Sequence, residues 1–327
     1  MASSEQIKAL LQSHLDKDED RFLSIALQVA AHEARSGHGR LAQELRDIVE
    51  LAKKKKNNSS TISIAKGIQD SAGLLSVSNP KFKLVDLIAS DEIKLKLERL
   101  VREQRFMTKL KNHGLSPRRR VLLIGPPGTG KTFTASILAG ELDYPLFQVR
   151  LDALITKYMG ESSAKLRQVF DAINTVRGVY FFDEFDALGS QRTMTNDVGE
   201  ARRILNSFLQ MIEQDESNSI IVCATNHVEI LDNALFRRFD DVIRYELPGD
   251  NEIITLFKKR LMPFVTRNFQ WKKLPEKSSG LSSAEITRAA EEAVKDMLIH
   301  GHDKITMPIL DSAIKDRLEM RKHILEI

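Results

Sequence analysis

Cysteine is nearly missing from this 327-residue chain; there is one, Cys223. A single thiol excludes an intrachain disulfide framework, and no Cys/His cluster has the spacing of a zinc site. Cys223 lies in the apolar run Ile220-Ile221-Val222-Cys223-Ala224, where it reads as a small core residue rather than a nucleophile. A large excess of one charge is also missing. Lys and Arg total 49 against 45 Asp and Glu, a net charge of +4. The excess sits in Lys53-Lys54-Lys55-Lys56 and Arg118-Arg119-Arg120, read as a solvated linker and a strand flank, so charge alone does not favour a nucleic-acid partner. No apolar stretch approaches the length of a membrane span. The start, Met1-Ala2-Ser3-Ser4-Glu5, lacks the basic-then-apolar layout of a signal peptide. The expectation is a cytoplasmic protein without membrane insertion. Peptidase signatures are absent too: there is no His-Glu-x-x-His, no Gly-x-Ser-x-Gly and no Cys/His pair in a plausible context.

The chain is long enough for two or three domains. From about residue 4 to Lys56, apolar residues recur at helical spacing (Leu10, Leu11, Leu15; Phe22, Ile25, Ala26, Val29; Leu41, Leu45, Ile48, Val49), with a break at Ser36-Gly37-His38-Gly39. Residues 1–56 therefore read as a small helical domain. It has no catalytic constellation, and His14, His32 and His38 read as surface residues without partners. Residues 57–80 are polar and Ser/Asn-rich and read as a linker. Residues 81–249 alternate short apolar strands with helices: strands at Val121–Ile124, Leu146–Val149, Val179–Phe182, Ile220–Ala224 and Val242–Glu246, and helices at Asp91–Leu110, Phe133–Leu142, Ser163–Asn174 and Gly199–Gln214. That alternation predicts an α/β fold with a parallel sheet flanked by helices. Residues 250–327 carry only helical signals (Asn251–Leu261, Ser282–His300, Pro308–His323) and read as a small all-helical domain. Ser282 and Glu285 fit a capping box.

The chemistry concentrates in the α/β part. Gly125-Pro126-Pro127-Gly128-Thr129-Gly130-Lys131-Thr132 fits G-x-x-x-x-G-K-[ST], between a strand and a helix. Such a loop turns its backbone N–H groups toward phosphates, and the following helix adds its positive end. Lys131 is placed to reach the β- and γ-phosphates of ATP, and Thr132 to hold Mg²⁺ through its hydroxyl. Val179 to Phe182 ends in Asp183-Glu184. Asp183 would orient the Mg²⁺ shell, and Glu184 would polarise a water for attack on the γ-phosphate. Asn226 ends the next strand, where an amide can bond that water or the γ-phosphate. Arg237-Arg238 could neutralise charge developing on the phosphoryl group. Tyr158-Met159-Gly160, in a polar loop, pairs an aromatic with a flexible apolar residue and could grip an extended chain.

Together these motifs resemble the AAA+ superfamily, specifically its AAA branch of protein remodellers and unfoldases, from about Lys83 to the C-terminus. The P-loop NTPase fold and a helical lid domain follow from that resemblance. Gly125 to Thr132 is similar to Walker A, Val179 to Glu184 to Walker B, and Asn226 to sensor 1. Arg237 and Arg238 resemble the arginine-finger pair, which acts on ATP in a neighbouring subunit. Tyr158-Met159 resembles the first pore loop, which contacts substrate polypeptide. Asp86-Leu87-Ile88 resembles the segment that packs on adenine, with Ile88-Ala89 where Gly-Gly is usual. Ser282-Ser283-Ala284-Glu285 resembles the lid turn beside the nucleotide, with Ser283 where glycine is common. Ile88, Phe133, Ser283 and Ala284 thus join the phosphate loop as nucleotide-binding candidates. The resemblance implies ATP hydrolysis with Mg²⁺, a homomeric ring that is usually a hexamer, and a protein substrate or adaptor selected by the N-terminal domain. A protease, if one is coupled, must be a separate chain. The alternative from another class is a clamp-loader or helicase-loader machine acting on nucleic acid.

Overall fold

The computed structural model describes residues 13, 19–49, 73–154, 161–188, 198–228 and 233–325. Chain contacts divide it into two units, Met1–Gln69 and Asp70–Ile327. In the first, helix α1 (Glu19–Arg35) is followed by a second helical stretch, residues 39–49. Gly37 makes the break between them at a φ of 86°. A left-handed residue ends a helix at low cost when it lacks a Cβ. Val29, Ala30, Ala42 and Val49 are buried in this unit. His38 has a partner after all: its Nδ1 lies 2.8 Å from Oε2 of the buried Glu33. The turn brings the two together across five residues, a separation invisible to a search for adjacent motifs.

The second unit is an α/β layer with a helical lid. Its sheet comprises β1 (Leu75–Ser78), β2 (Arg120–Ile124), β3 (Leu146–Val149), β4 (Val179–Phe182), β5 (Ile220–Thr225) and β6 (Asp241–Arg244), in the order β1-β3-β4-β5-β2-β6. All pairings are parallel except β1 with β3. Strands β4 and β5 are buried along their whole length, as continuous apolar runs in a doubly covered sheet should be. Strand β1 falls within the stretch read from composition as linker. Its Leu-Ser-Val-Ser sequence is only half apolar, and pairing with β3 makes it a strand.

Eleven helices complete this unit among the described residues: α2 (Asp91–Arg105), α3 (Met107–Asn112), α4 (Lys131–Leu142), α5 (Leu151–Leu154), α6 (Glu161–Thr175), α7 (Val198–Gln214), α8 (Asn233–Phe236), α9 (Asp250–Leu261), α10 (Leu274–Ser278), α11 (Ser283–Ile299) and α12 (Met307–Leu325). The expected helix Asp91–Leu110 is two helices, broken at Phe106. Ser90 caps α2, its Oγ accepting from the Ile93 N–H. Under the sheet, Leu97, Leu100, Val121, Leu123, Ile137 and Phe181 belong to one core cluster. The lid has its own core, with Ile253, Phe257, Leu261, Ile286, Ala289 and Leu310. Alanines at 289, 290 and 293 let α11 approach α9 closely.

The arginine run flanks and opens β2, and its guanidinium groups are ion-paired. Arg118 Nη1 donates to Asp241 Oδ2 at 2.9 Å, Arg119 pairs with the buried Asp215, and Arg120 lies 3.4 Å from Asp240. Asp240 Oδ2 also accepts the backbone N–H groups of Arg119 and Arg120. These cations hold the lower end of the sheet together and are not displayed for a polyanion. Cys223 is fully buried in β5, and burial pushes its thiol pKa up, in keeping with a packing role. Among the described residues no helix is long and apolar enough to cross a membrane.

Candidate active site

The sheet order places the carboxyl ends of β4, β5 and β2 side by side. Ile124 is level with Thr225, and Phe182 with Cys223. Everything that follows these strands is therefore delivered to one edge of the sheet, where α/β folds bind ligands. After β2 comes the phosphate loop, after β4 Asp183-Glu184, and after β5 Asn226.

The phosphate loop is wound by its glycines. Gly125 has a φ of 140°, and a Cβ there would collide with the Tyr245 carbonyl at the end of β6. Gly130 ends the loop at a φ of 109°, and α4 begins at Lys131. Thr129 Oγ1 donates to the Pro126 carbonyl at 2.8 Å. The Lys131 ammonium donates to the carbonyls of Gly125 and Pro126 at 2.6 and 2.7 Å. With only 6% of its surface exposed, Lys131 is held by these bonds under the loop. Burial lowers its pKa to about 8, opposed by the nearby carboxylates of Asp183 and Asp186.

Thr132 and Asp183 meet: Thr132 Oγ1 donates to Asp183 Oδ2 at 2.9 Å. A hydroxyl and a carboxylate at hydrogen-bond separation are hard oxygen donors of the kind Mg²⁺ takes with only one or two protein ligands. The residues present fit the ion. Glu184 has a φ of 50°, one of two non-glycine residues in the left-handed region among the described residues. Its N–H donates to Asp183 Oδ1 at 3.0 Å. This turn answers a difficulty in the sequence. Adjacent strand residues point to opposite faces, yet both carboxylates line one cleft, because the chain leaves the strand at Glu184 in a conformation that costs on the order of 1 kcal/mol or more.

The cleft has a volume of about 620 Å³. Pro127 to Phe133, Asp183, Glu184 and Asn226 line it from the sheet side, Ile88 from the segment before α2, and Ser283 and Ala284 from the lid. Gly125 and Pro126 stand behind it, where they receive Lys131. The lid touches the phosphate loop directly, since the Ala284 N–H donates to the Gly128 carbonyl at 2.9 Å. Gly128 has a φ of 75°, and a Cβ there would lie 2.6 Å from Ser282 Oγ.

Asn226 is braced from below. Thr225 Oγ1 donates to the buried Asp186 Oδ1 at 2.8 Å and accepts the His227 N–H at 2.9 Å. The Asn226 Oδ1 itself is buried without a hydrogen-bond partner among the described residues. Arg237 and Arg238 do not line the cleft. Arg237 is exposed, and Arg238 Nε lies 2.6 Å from Glu213 Oε1 on α7. Tyr158 and Met159 lie outside the described residues. Sequence reasoning missed Lys259, Arg260 and Arg288, lid cations that line the cleft. Their signal is helical spacing: Leu256, Lys259 and Arg260 on α9, and Ala284, Thr287, Arg288 and Glu291 on α11, recur at i, i+3 and i+4 on one face of each helix.

Residues 121–247 match the model of the ATPase family associated with various cellular activities (AAA). The chain is 34% identical over 324 residues to an uncharacterized AAA family ATPase of Sinorhizobium fredii, covering 98% of this chain and 97% of that protein. It belongs to the AAA family of ATPases. It is also 35% identical over 212 residues to a proteasome-activating nucleotidase of Saccharolobus islandicus, and 32% identical over 240 residues to the ATP-dependent zinc metalloprotease FtsH of Mesoplasma florum. These matches cover 62% and 71% of this chain but only 53% and 37% of those proteins. The chain thus spans about half or less of their length, whereas the likeness to the Sinorhizobium protein takes in the N-terminal helices as well. The protein is an AAA ATPase, with an ATP-binding α/β domain and a helical lid.

Proposed function

We propose that this ATPase works as a homomeric ring that remodels or unfolds protein substrates, with each ATP site completed by a neighbouring copy. The observation that carries this reading is the position of Arg237 and Arg238. They follow β5 in the chain, yet neither lines the cleft built by their own copy. An arginine pair outside its own copy's cleft, one of its members exposed, is suited to a heterologous contact in which the next copy's ATP receives it.

Within one copy, Lys131 would leave its loop carbonyls for the β- and γ-phosphates. Thr132 and Asp183 would hold Mg²⁺, which when bound offsets the charge of the phosphates. Glu184 would accept the proton of the attacking water as it adds to the γ-phosphorus, and the Asn226 amide would orient that water or bond the γ-phosphate. Ile88, Ser283 and Ala284 would border the nucleoside. Tyr158 and Met159 would contact the substrate polypeptide in a central pore, and the N-terminal helices would select the substrate or an adaptor. Two relatives, a proteasome-activating nucleotidase and an ATP-dependent zinc metalloprotease, support by their names a protein substrate. The 327 residues themselves carry no peptidase motif. The paired arginines 118–120 weigh against the nucleic-acid alternative.

The test is a Glu184→Gln variant held with ATP and recovered from its native cell. Protein should co-purify, and adding Tyr158→Ala should abolish the capture. Recovery of DNA or RNA, or undiminished protein capture by the Tyr158→Ala form, would overturn the reading.

A further inference from the structure

The lid reaches the phosphate loop through a single turn, Ser282-Ser283-Ala284, and that turn is held from both sides. On the nucleotide side, the Ala284 N–H bonds the Gly128 carbonyl. On the other side stands Glu285, the third residue of α11. Its Oε2 accepts the Ser282 N–H at 2.6 Å, while Ser282 Oγ accepts the Glu285 N–H at 3.3 Å. This reciprocal cap fixes the angle at which the chain enters α11. The same Oε2 lies 3.4 Å from Arg321 Nη1, three turns along the final helix α12 from Asp311 and close to its C-terminal end. A second ion pair joins the same two helices further along, Arg317 Nη2 to Glu292 Oε1 at 3.4 Å. Only the Arg321 pair ends on a residue that also caps the lid turn.

From this chain of contacts we propose that Arg321 is a positioning residue for the ATPase: through Glu285 it sets the Ser282–Ala284 turn against Gly128, and so couples the last helix to nucleotide affinity. The guanidinium attracts the Glu285 carboxylate, the carboxylate orients the Ser282 N–H, and the capped turn holds the Ala284 N–H on the Gly128 carbonyl and Ser283 at the cleft. Burial raises the Glu285 pKa, but the bonds from Ser282 and the charge of Arg321 outweigh it, so the carboxylate stays ionised as the relay requires. The pair is about 30% exposed on each side, so its effect is modest and salt-sensitive. The consequence is regulatory: anything that lifts or recruits the end of α12 loosens the hold on ATP. The inference rests on the nucleotide lying in this cleft.

The experiment uses the full chain and a fluorescent ADP analogue, with steady-state ATPase alongside. Arg321→Ala should weaken ADP binding and raise the KM for ATP about two- to fivefold, with kcat changed less than twofold. Arg321→Lys should recover most of the loss, and 0.5 M salt should erase the difference between wild type and Arg321→Ala. Arg317→Ala removes the neighbouring pair between the same helices and should leave affinity unchanged. Unchanged affinity in Arg321→Ala, or equal losses in Arg317→Ala and Arg321→Ala, would overturn the inference. Glu285→Gln provides the second route should Arg321→Ala fail to fold. It should give the same rise in KM, and an unchanged KM would overturn the inference equally. Lys131→Ala must abolish binding in parallel. Retained binding there would instead refute the placement of the nucleotide.

Discussion

Gly128 is the point where sheet and lid meet, so Gly128→Ala separates backbone strain from lid docking. At a φ of 75° an alanine adopts a left-handed conformation costing roughly 1–2 kcal/mol. Its Cβ would lie 2.6 Å from Ser282 Oγ and 3.2 Å from Ala284 Cβ. Relief of these contacts requires the lid turn to withdraw by about half an ångström or more. The 2.9 Å bond from Ala284 N–H to the Gly128 carbonyl then stretches past good geometry, at a cost of about 1 kcal/mol. The strain should appear in urea unfolding as a loss of about 1–2 kcal/mol. The lid displacement should appear in titration with a fluorescent ADP analogue as roughly fivefold weaker binding. Gly114→Ala is the control. Its φ of 72° matches that of Gly128, and nothing lies within 4 Å of a Cβ there, so it should share the stability loss and keep full affinity. Wild-type affinity in Gly128→Ala, or an equal affinity loss in Gly114→Ala, would refute the reasoning.

Two further outcomes follow from the cleft. Because burial holds the Lys131 pKa at about 8, the unfolded chain carries more protons than the folded one from about pH 8 up to 10.5, so this group's cost to stability is relieved as pH rises through that window. A bound triphosphate restores the charge, so calorimetry at pH 8.5 in buffers of different ionisation enthalpy should register uptake of roughly three-quarters of a proton per ATP, and no uptake would contradict the burial argument. Thr225→Val removes the hydroxyl that bonds Asp186 and the His227 N–H. Steady-state assays should show kcat down about tenfold at near-constant KM, with roughly 1–3 kcal/mol of stability lost in urea, whereas an unchanged kcat would show that Asn226 needs no brace.

The legible part of this protein was the part written in short-range patterns. Lys131, Thr132 and the loop glycines declare themselves by spacing, and Val179 to Phe182 by an unbroken apolar run before two carboxylates. Residue type and order sufficed there, because neighbours in sequence come to line one cleft together. Strand β1 was hidden, since Leu-Ser-Val-Ser matches a linker as well as a strand and its partner lies some seventy residues on. The ion pairing of Arg118 to Arg120 was hidden because the aspartates that neutralise the run, Asp215, Asp240 and Asp241, are distant in sequence. The Asp186–Thr225 brace and the Arg321–Glu285 contact were hidden for the same reason. The left-handed turn at Glu184, which brings both carboxylates into one cleft, left no sequence signal, since a carboxylate at that position is conspicuous for its charge and not for its φ.

The central claim, that a neighbouring copy completes each ATP site, is tested most directly by mixing two inactive variants. Glu184→Gln subunits retain the arginines and lack the carboxylate; Arg238→Ala subunits retain the carboxylate and lack an arginine. Combined in equal amounts, random assembly pairs an intact Glu184 with an intact neighbouring Arg238 at about one site in four, so the mixture should recover about a quarter of wild-type ATP turnover. No subunit carries both groups, so if each copy used its own arginines the mixture would stay as inactive as its parts, and that result would contradict the account.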